Sequence, residues 1–505
     1  MNRKGIHAFL EARKIAVIGA SEKNVFSVSL LRNLAAFDYP ADDLYPINPG
    51  RKEVLGLTCW PSLAAVPAAI DLAVLLVSRE RVPEALRSCL EKKVPAAVVV
   101  ASGFAERDAR GKELQDEIHK LGAGIEIMGP NCMGFVSPAQ HLMPWCSPLA
   151  KNLRAGNVTA IFHSSGMLNL FLHQSAERGV GIRGGWAPGN EVTLGMVDCL
   201  SDAVEDEDTQ VIVLVLEHLG DRKEFSRLLD QARERGKAVV ALRLGRSAKA
   251  LKAVQAHTGR LGTPSRAWAA FGRQRGAILV ETLDELIGNC VLLSQRAGKS
   301  GRPTAAGLGL ITISGGDCSL LTDLCEDIGL DLPEPSENTQ SAISAAMEKP
   351  LTLANPLDVE DLWSARPDAF KHVVKSLAED PAFGIVACRL NLPQTPAPSF
   401  IDMYEGAAAA IISAGKIPIF LTRASEQLNE EWFELFSKMP APFLLEYGKS
   451  LRVIKNYLDR EHRLRTAAAV PRRATPPEAL ALRADFQRRR KDGKQALTYA
   501  EVKTF

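Results

Sequence analysis

Among side chains that can take and pass on a phosphoryl group near neutral pH, the neutral imidazole is well suited, because its ring nitrogen is a nucleophile. Nine histidines occur in the chain, and His257 stands apart by its neighbours, Ala256-His257-Thr258-Gly259. A glycine beside the ring lets a loop move, and the hydroxyl of Thr258 can orient a phosphate. A second candidate for anion chemistry lies near the start, where the apolar run Lys14-Ile18 passes through Gly19-Ala20-Ser21 into a helical pattern. Small residues at such a turn let backbone N–H groups approach a phosphate at a helix N-terminus, whose dipole favours negative charge. Three later turns carry small or polar groups after apolar runs: Val77-Ser78, Ser102-Gly103-Phe104 and Gly129-Pro130-Asn131-Cys132.

The elements that must position these residues follow from periodicity. Lys14-Ile18, Leu44-Ile47, Leu72-Val77, Ala96-Val100 and Ile125-Met128 read as buried strands, with helical spacing over Phe26-Phe37, Pro83-Lys92 and Gly111-Leu121 between them. Such alternation implies a parallel sheet with helices on both faces, and ligands then bind at the carboxyl ends of the strands. Pro144 to Gly156 reads as a linker. A second set follows at Val158-Phe162, Val211-Leu216, Ala238-Leu244 and Ala277-Val280, with a helix including Leu168-Arg178. A Gly-, Ser- and Arg-rich stretch from Gln295 to Ala306 precedes a third set at Leu308-Ile313, Gly384-Cys388, Ile417-Leu421 and Phe443-Leu445. The expected fold class is therefore α/β, with three consecutive Rossmann- or flavodoxin-like parallel-sheet domains at 1–145, 146–298 and 299–465, and a basic tail at 466–505.

Composition sets outer limits. With 505 residues, 46% hydrophobic and 24% charged, the chain can bury several cores. A net charge of +2 gives no electrostatic reason to expect nucleic acid, and the basic run Arg488 to Lys494 reads as a solvated face or linker. No apolar run approaches a membrane span, and no signal-peptide core follows Met1. Nine cysteines without a Cys-x-x-Cys pair argue against structural zinc and a disulfide framework, so a cytoplasmic location without a metal site is expected.

Which nucleotide the first turn serves is open on local evidence. Only Gly19 of a dinucleotide triple-glycine fingerprint is present, and the second strand ends in Ile47-Asn48-Pro49-Gly50-Arg51-Lys52 rather than in an acid for ribose hydroxyls. Two cations there suit a phosphorylated ribose, which leaves a CoA-type ligand, NAD(P) and a plain structural turn as the options.

Read in order, Ile18-Gly19-Ala20-Ser21, Pro46-Ile47-Asn48-Pro49, Val54-Leu55-Gly56-Leu57, Ser102-Gly103-Phe104-Ala105-Glu106 and Gly129-Pro130-Asn131-Cys132-Met133-Gly134 resemble the CoA-binding domain of the NDP-forming (ADP-forming) acyl-CoA synthetases, relatives of the succinyl-CoA synthetase α subunit. The resemblance implies coenzyme A as the ligand of Gly19, Ala20, Ser21, Asn48, Pro49, Arg51, Val77, Ser102, Gly103, Phe104, Pro130, Asn131 and Cys132. It implies that His257 is phosphorylated and that Glu217, at the end of Leu214-Val215-Leu216, orients it. A carboxylate on the second ring nitrogen fixes the tautomer and raises nucleophilicity. Phosphate contacts are implied for Ser165, Gly166, Thr258, Gly259, Gly315 and Gly316, the last two opening a helix of the third unit.

Departures from the family pattern are also visible. His163-Ser164-Ser165-Gly166 stands where the family has Ser-Gln-Ser-Gly, so the glutamine is lost and His163 is gained; it reads as a pocket wall or packed side chain, with a second functional imidazole as the alternative. The turn Gly189-Asn190 is kept, while the residues after it differ. Ala256 replaces a serine, Arg260 a small residue, and Asp317 puts an acid where a phosphate is expected. The implied reaction interconverts acyl-CoA, phosphate and ADP with a carboxylic acid, CoA and ATP, through an acyl phosphate and phospho-His257. ATP, ADP and Mg2+ belong on an ATP-grasp unit that does not fit after the third domain. The expected partners are that unit, a small carboxylic acid or acyl-CoA, and further copies or subunits in an oligomer. Ala496 to Phe505 resembles the opening helix of an ATP-grasp domain, so either a truncated enzyme or one subunit of two is expected. The alternative is a CoA-binding regulatory or scaffold subunit with impaired catalysis.

Overall fold

The computed structural model describes residues 4–247, 249–250, 268, 272, 274–296, 303, 305–347, 354–360, 362–389, 398–425, 430–439 and 441–469. The chain divides into two compact bodies, Met1–Arg460 and Glu461–Phe505. Of the second, residues 461–469 are described, and they continue the helix Tyr447–Ala469.

Three mostly parallel sheets organise Met1–Arg460, one to each of three α/β units. The first comprises β1 (Ile15–Ile18) and β2 (Leu44–Ile47); the small hairpin β3 (Glu53–Val54) and β4 (Leu57–Thr58) stands apart; β5 (Leu72–Leu75), β6 (Ala96–Val99) and β7 (Glu126–Met128) complete the sheet in the order β2-β1-β5-β6-β7. Leu-Ala-Val-Leu of β5 and Ala-Ala-Val-Val of β6 are buried at every position, as strands covered on both faces must be. Alternate residues serve opposite cores. Val17, Leu72, Val74 and Val98 join a core that continues into the next sheet, while Ala16, Leu75 and Val99 face another.

The second sheet contains β8 (Gly134–Val136), β9 (Ala155–Phe162), β10 (Ile182–Ala187), β11 (Val211–Leu216), β12 (Ala238–Arg243) and β13 (Ile278–Val280), in the order β13-β12-β11-β9-β10-β8. The antiparallel β8 lies ahead of residue 145, so the chain enters this sheet inside the stretch that periodicity gives to the first unit. Its Phe135 stacks on Trp186 of β10, centroids 4.8 Å apart, and meets Phe9 edge-on. The stretch Pro144 to Gly156 is not a solvated linker, because Trp145 and Cys146 are fully buried. Asn33 clamps it, donating to the carbonyls of Trp145 (2.8 Å) and Ser147 (2.7 Å) and accepting from the Leu149 N–H (3.2 Å).

The third sheet holds β14 (Gly307–Thr312), β15 (Leu357–Asp358), β16 (Phe383–Arg389), β17 (Ile417–Leu421) and β18 (Phe443–Leu444), in the order β15-β14-β16-β17-β18. With β8 set aside, this repeats the order β10-β9-β11-β12-β13 of the second sheet. The two units share one topology. The match extends to single residues: Gly236-Lys237 precedes β12 and Gly415-Lys416 precedes β17, each glycine with positive φ. Lys237 Nζ donates to the carbonyls of Ala203 and Asp206, and Lys416 Nζ to those of Asp380 and Phe383. Each buried ammonium thereby ties a helix end to the sheet.

Candidate active site

A cleft of about 680 Å3 opens where the carboxyl ends of β5, β6 and β7 face the helix Ser165–Glu177 of the second unit. Val77, Ser78, Ser102, Asn131 and Cys132 line one side, and His163, Ser164, Ser165 and Gly166 the other. Asn24, Phe26, Arg79 and Arg107 add an exposed aromatic ring and two cations. Of the residues implied for CoA or phosphate, Val77, Ser102, Asn131, Cys132, Ser165 and Gly166 are therefore brought together.

Gly19, Ala20, Ser21, Asn48, Pro49, Arg51, Gly103, Phe104 and Pro130 do not line this cleft. The N–H groups of Gly19 and Ala20 both donate to the Ile47 carbonyl, and that of Ser21 to Ser27 Oγ. The chain leaving β1 leans onto the end of its neighbour β2, so these amides are used inside the fold. Gly19 has φ +89°, and a Cβ there would lie 2.7 Å from the Leu76 carbonyl oxygen. Asn48 bonds the Ala20 carbonyl and the Gly50 N–H, bracing the two turns. Arg51 lies 3.7 Å from Glu22. Glu106 accepts from the Gly103 and Phe104 amides with one oxygen and from Asn190 Nδ2 with the other. The turn at Pro130 takes the Asn190 N–H on its carbonyl at 2.9 Å, and Gly189 packs so closely that an added Cβ would meet that oxygen at 2.2 Å. The first unit thus holds the Gly189-Asn190-Glu191 turn in place.

That turn delivers a carboxylate to two imidazoles. His163 Nε2 is 3.3 Å from Glu191 Oε1, and His218 Nε2 is 3.8 Å from Glu191 Oε2, with side-chain exposures of 4%, 9% and 10% for His163, His218 and Glu191. The two rings lie 4.1 Å apart at 44°. Glu191 Oε1 also accepts the Met196 N–H at 2.9 Å. Burial alone would raise the Glu191 carboxyl, but the His163 hydrogen bond and the two imidazoles outweigh it and bring it down to about 2. On its other side, His163 Nδ1 accepts the backbone N–H of Glu217 at 3.0 Å. Glu217 itself is buried at the carboxyl end of β11.

Cys132 lies in the cleft with its Sγ against the Val99 carbonyl. Burial pushes its thiol up to about 12, which keeps it protonated and unreactive. In the third unit, Gly315 and Gly316 open the helix Gly315–Ile328. Asp317, expected to oppose a phosphate, is instead neutralised: Arg423 binds it through two nitrogens at 2.7 and 2.9 Å, Thr312 donates at 3.1 Å, and Arg389 stands at 3.6 Å. Ala256, His257, Thr258, Gly259 and Arg260 lie outside the described residues.

Comparison with known proteins follows this division of the chain. Residues 13–138 match the CoA binding domain, and residues 155–293 match the succinyl-CoA ligase like flavodoxin domain. An ADP-forming acetate–CoA ligase I of Archaeoglobus fulgidus is 29% identical over 74% of this chain and 53% of its own length. The α subunit of the ADP-forming acetate–CoA ligase II of Pyrococcus furiosus is 26% identical over 86% of this chain and 93% of its own. The chain thus matches the NDP-forming acyl-CoA synthetase family in its CoA-binding and flavodoxin-like domains. A trans-feruloyl-CoA synthase from an unknown prokaryotic organism is 30% identical over 76% of this chain and 55% of its own length, so the chain spans about half the length of these single-chain relatives. Among solved structures, the dinucleotide forming acetyl-coenzyme A synthetase 1 of Ca. Korarchaeum cryptofilum, in complex with phosphate and ADP, superposes with a TM-score of 0.77 over 91% of this chain and 98% of that one. At 24% identity that likeness bears on fold alone. No helix among the described residues is long and apolar enough to cross a membrane.

Glu191, His218, Phe26, Arg79 and Arg107 were not singled out by sequence. One signal pointed at Glu191: the residues after Gly189-Asn190 depart from the synthetase pattern, as His163 does. Those two departures meet in space.

Proposed function

We propose that this chain carries the acyl-transfer and phosphohistidine half of an NDP-forming acyl-CoA synthetase. The observation that carries this reading is the cleft itself, in which the strand ends of the CoA-domain sheet face the helix N-terminus at Ser165 and Gly166, beside His163, whose ring accepts the Glu217 N–H. Coenzyme A enters as substrate, and the cleft's serines, Asn131 and the arginines Arg79 and Arg107 suit its amides and phosphates. A phosphate oxygen attacks the thioester carbonyl, the C–S bond breaks, and CoA leaves as a thiolate that takes up a proton. The resulting acyl phosphate then meets the neutral imidazole of His257. Nitrogen attacks phosphorus, the bond to the acyl oxygen breaks, and a carboxylate departs. Glu217 holds the ring that becomes cationic, and helix N-termini at Ser165 and Gly315 balance the phosphoryl charge. ADP with Mg2+ on an ATP-grasp unit takes the phosphoryl group from phospho-His257, giving ATP; the reverse direction makes acyl-CoA. Acetyl, 4-hydroxybutyryl and feruloyl groups are the acyl classes to try, from the names of the relatives.

Phosphohistidine formation from the acyl-CoA side needs no nucleotide, so the full chain can be tested alone. With [32P]phosphate and these three acyl-CoAs, acid-labile, base-stable label is expected on the wild type and none on His257→Ala. Label that persists in His257→Ala would sink the assignment. Tight CoA binding without label from any acyl-CoA would favour the regulatory or scaffold reading.

A further inference from the structure

We infer that His163 is a positioning residue whose neutral ring sets the direction of Glu217 through two hydrogen bonds of opposite sense; this rests on the proposed function, in which Glu217 serves His257. His163 Nδ1 accepts the Glu217 peptide N–H at 3.0 Å, so the single hydrogen of the neutral ring sits on Nε2. That nitrogen is the one within 3.3 Å of Glu191 Oε1, an acceptor. Both ring nitrogens are therefore committed, one accepting and one donating.

Two consequences follow for chemistry. His163, Glu191 and His218 present three donor atoms within 4.8 Å of one another, a spacing that suits a metal ion. A cation bound at His163 Nε2 would first have to displace its hydrogen, leaving an imidazolate, because Nδ1 is already occupied by the peptide hydrogen. The same occupancy leaves no nitrogen free to attack phosphorus. The cluster is thus neither a metal centre nor a second phosphoryl carrier. Its ring is a strut between the Gly189-Asn190-Glu191 turn and the end of β11, and it fixes the peptide from which the Glu217 side chain springs.

The same two bonds can be made by a glutamine, whose amide oxygen accepts and whose NH2 donates. Leucine fills similar space and does neither.

The test uses the full chain, labelling from [32P]phosphate and the best acyl-CoA of the three. His163→Gln is expected to label within about threefold of wild type. His163→Leu should lose about tenfold or more in rate, the size of one broken hydrogen bond in a catalytic support, with KM for acyl-CoA little changed. Wild-type rates in His163→Leu, or equal losses in the two variants, would overturn the inference. Ring-selective 15N NMR provides a readout free of turnover: Nδ1 bare and Nε2 protonated at neutral pH are expected, and the opposite tautomer overturns the geometry. If wild type takes no label while the NMR finds the expected tautomer, the proposed function has failed and the hydrogen-bonded strut stands without a catalytic role.

Discussion

Glu191 has φ +59°, a left-handed conformation that costs a non-glycine residue roughly 1 kcal/mol or more. Bonds from His163 and the Met196 N–H offset that cost and hold the carboxylate where both imidazoles reach it. Its carboxyl is depressed from the ordinary 4.5 to about 2. A group depressed in the folded state stabilises the fold above its unfolded value and loses that contribution as pH falls through the folded one. Stability from Glu191 should therefore be complete above about pH 4.5 and drain away toward pH 2. Glu191→Gln should flatten this segment of a denaturation-versus-pH curve; an unchanged slope between pH 4.5 and 2 would show that the carboxylate is not so held.

Segments between regular elements do much of the positioning. The connector through Trp145 has no strand or helix over most of its length, yet its first residues, Pro144, Trp145 and Cys146, are buried, while Pro148, Lys151, Asn152 and Arg154 are exposed. Asn33, on the helix Val25–Ala36, satisfies three of its backbone groups and is itself buried. Removing the amide leaves those groups without that partner, and an unmet buried polar group costs about 1–3 kcal/mol. Asn33→Ala is accordingly expected to destabilise by about 2–4 kcal/mol in chemical denaturation. A change under about 0.5 kcal/mol would mean that water replaces the amide without loss. Because the connector leads from β8 into β9, the same variant should also weaken CoA binding by displacing Met133 and Ser165 across the cleft.

Across Met1–Arg460, the second and third sheets use one frame twice. Lys237 and Lys416 occupy the same step of that frame, after a positive-φ glycine and before the fourth strand of each repeat, and each ammonium is buried on carbonyl oxygens. Lys→Met at either position keeps the stem and removes the donors, leaving buried carbonyls unmet. Each change should lower the melting temperature by several degrees, matching about 2–3 kcal/mol, and the pair should be additive because they lie in different sheets. A neutral result at one site and a loss at the other would separate the two repeats in how they depend on this tie. What differs between the repeats is the cargo at the strand ends. Glu217 follows β11, whereas Arg389 ends β16 and meets Asp317, so charge is arranged differently on one scaffold.

Sequence by itself determined the three sheets, because strands covered on both faces are continuous apolar runs, as in Val211–Leu216 and Leu72–Leu75, and such runs need no partner to be recognised. It also supplied Val77, Ser102, Asn131, Cys132, Ser165 and Gly166, since residues just past a strand in this fold class converge on one edge. It missed β10, where Gly184 and Gly185 interrupt the apolar pattern, and the short β8 and β15, whose two or three residues carry no period. Tertiary structure alone decided which side-chain and backbone groups remain available. The amides of Gly19, Ala20 and Ser21 are spent within the fold, and Asp317 is matched by arginines more than seventy residues away. The same holds for His163, Glu191, His218 and Glu217, which come from three turns and meet only when β9, β10 and β11 lie side by side. Hydrogen bonds have direction, and direction is set by the packing of strands that the chain order leaves far apart.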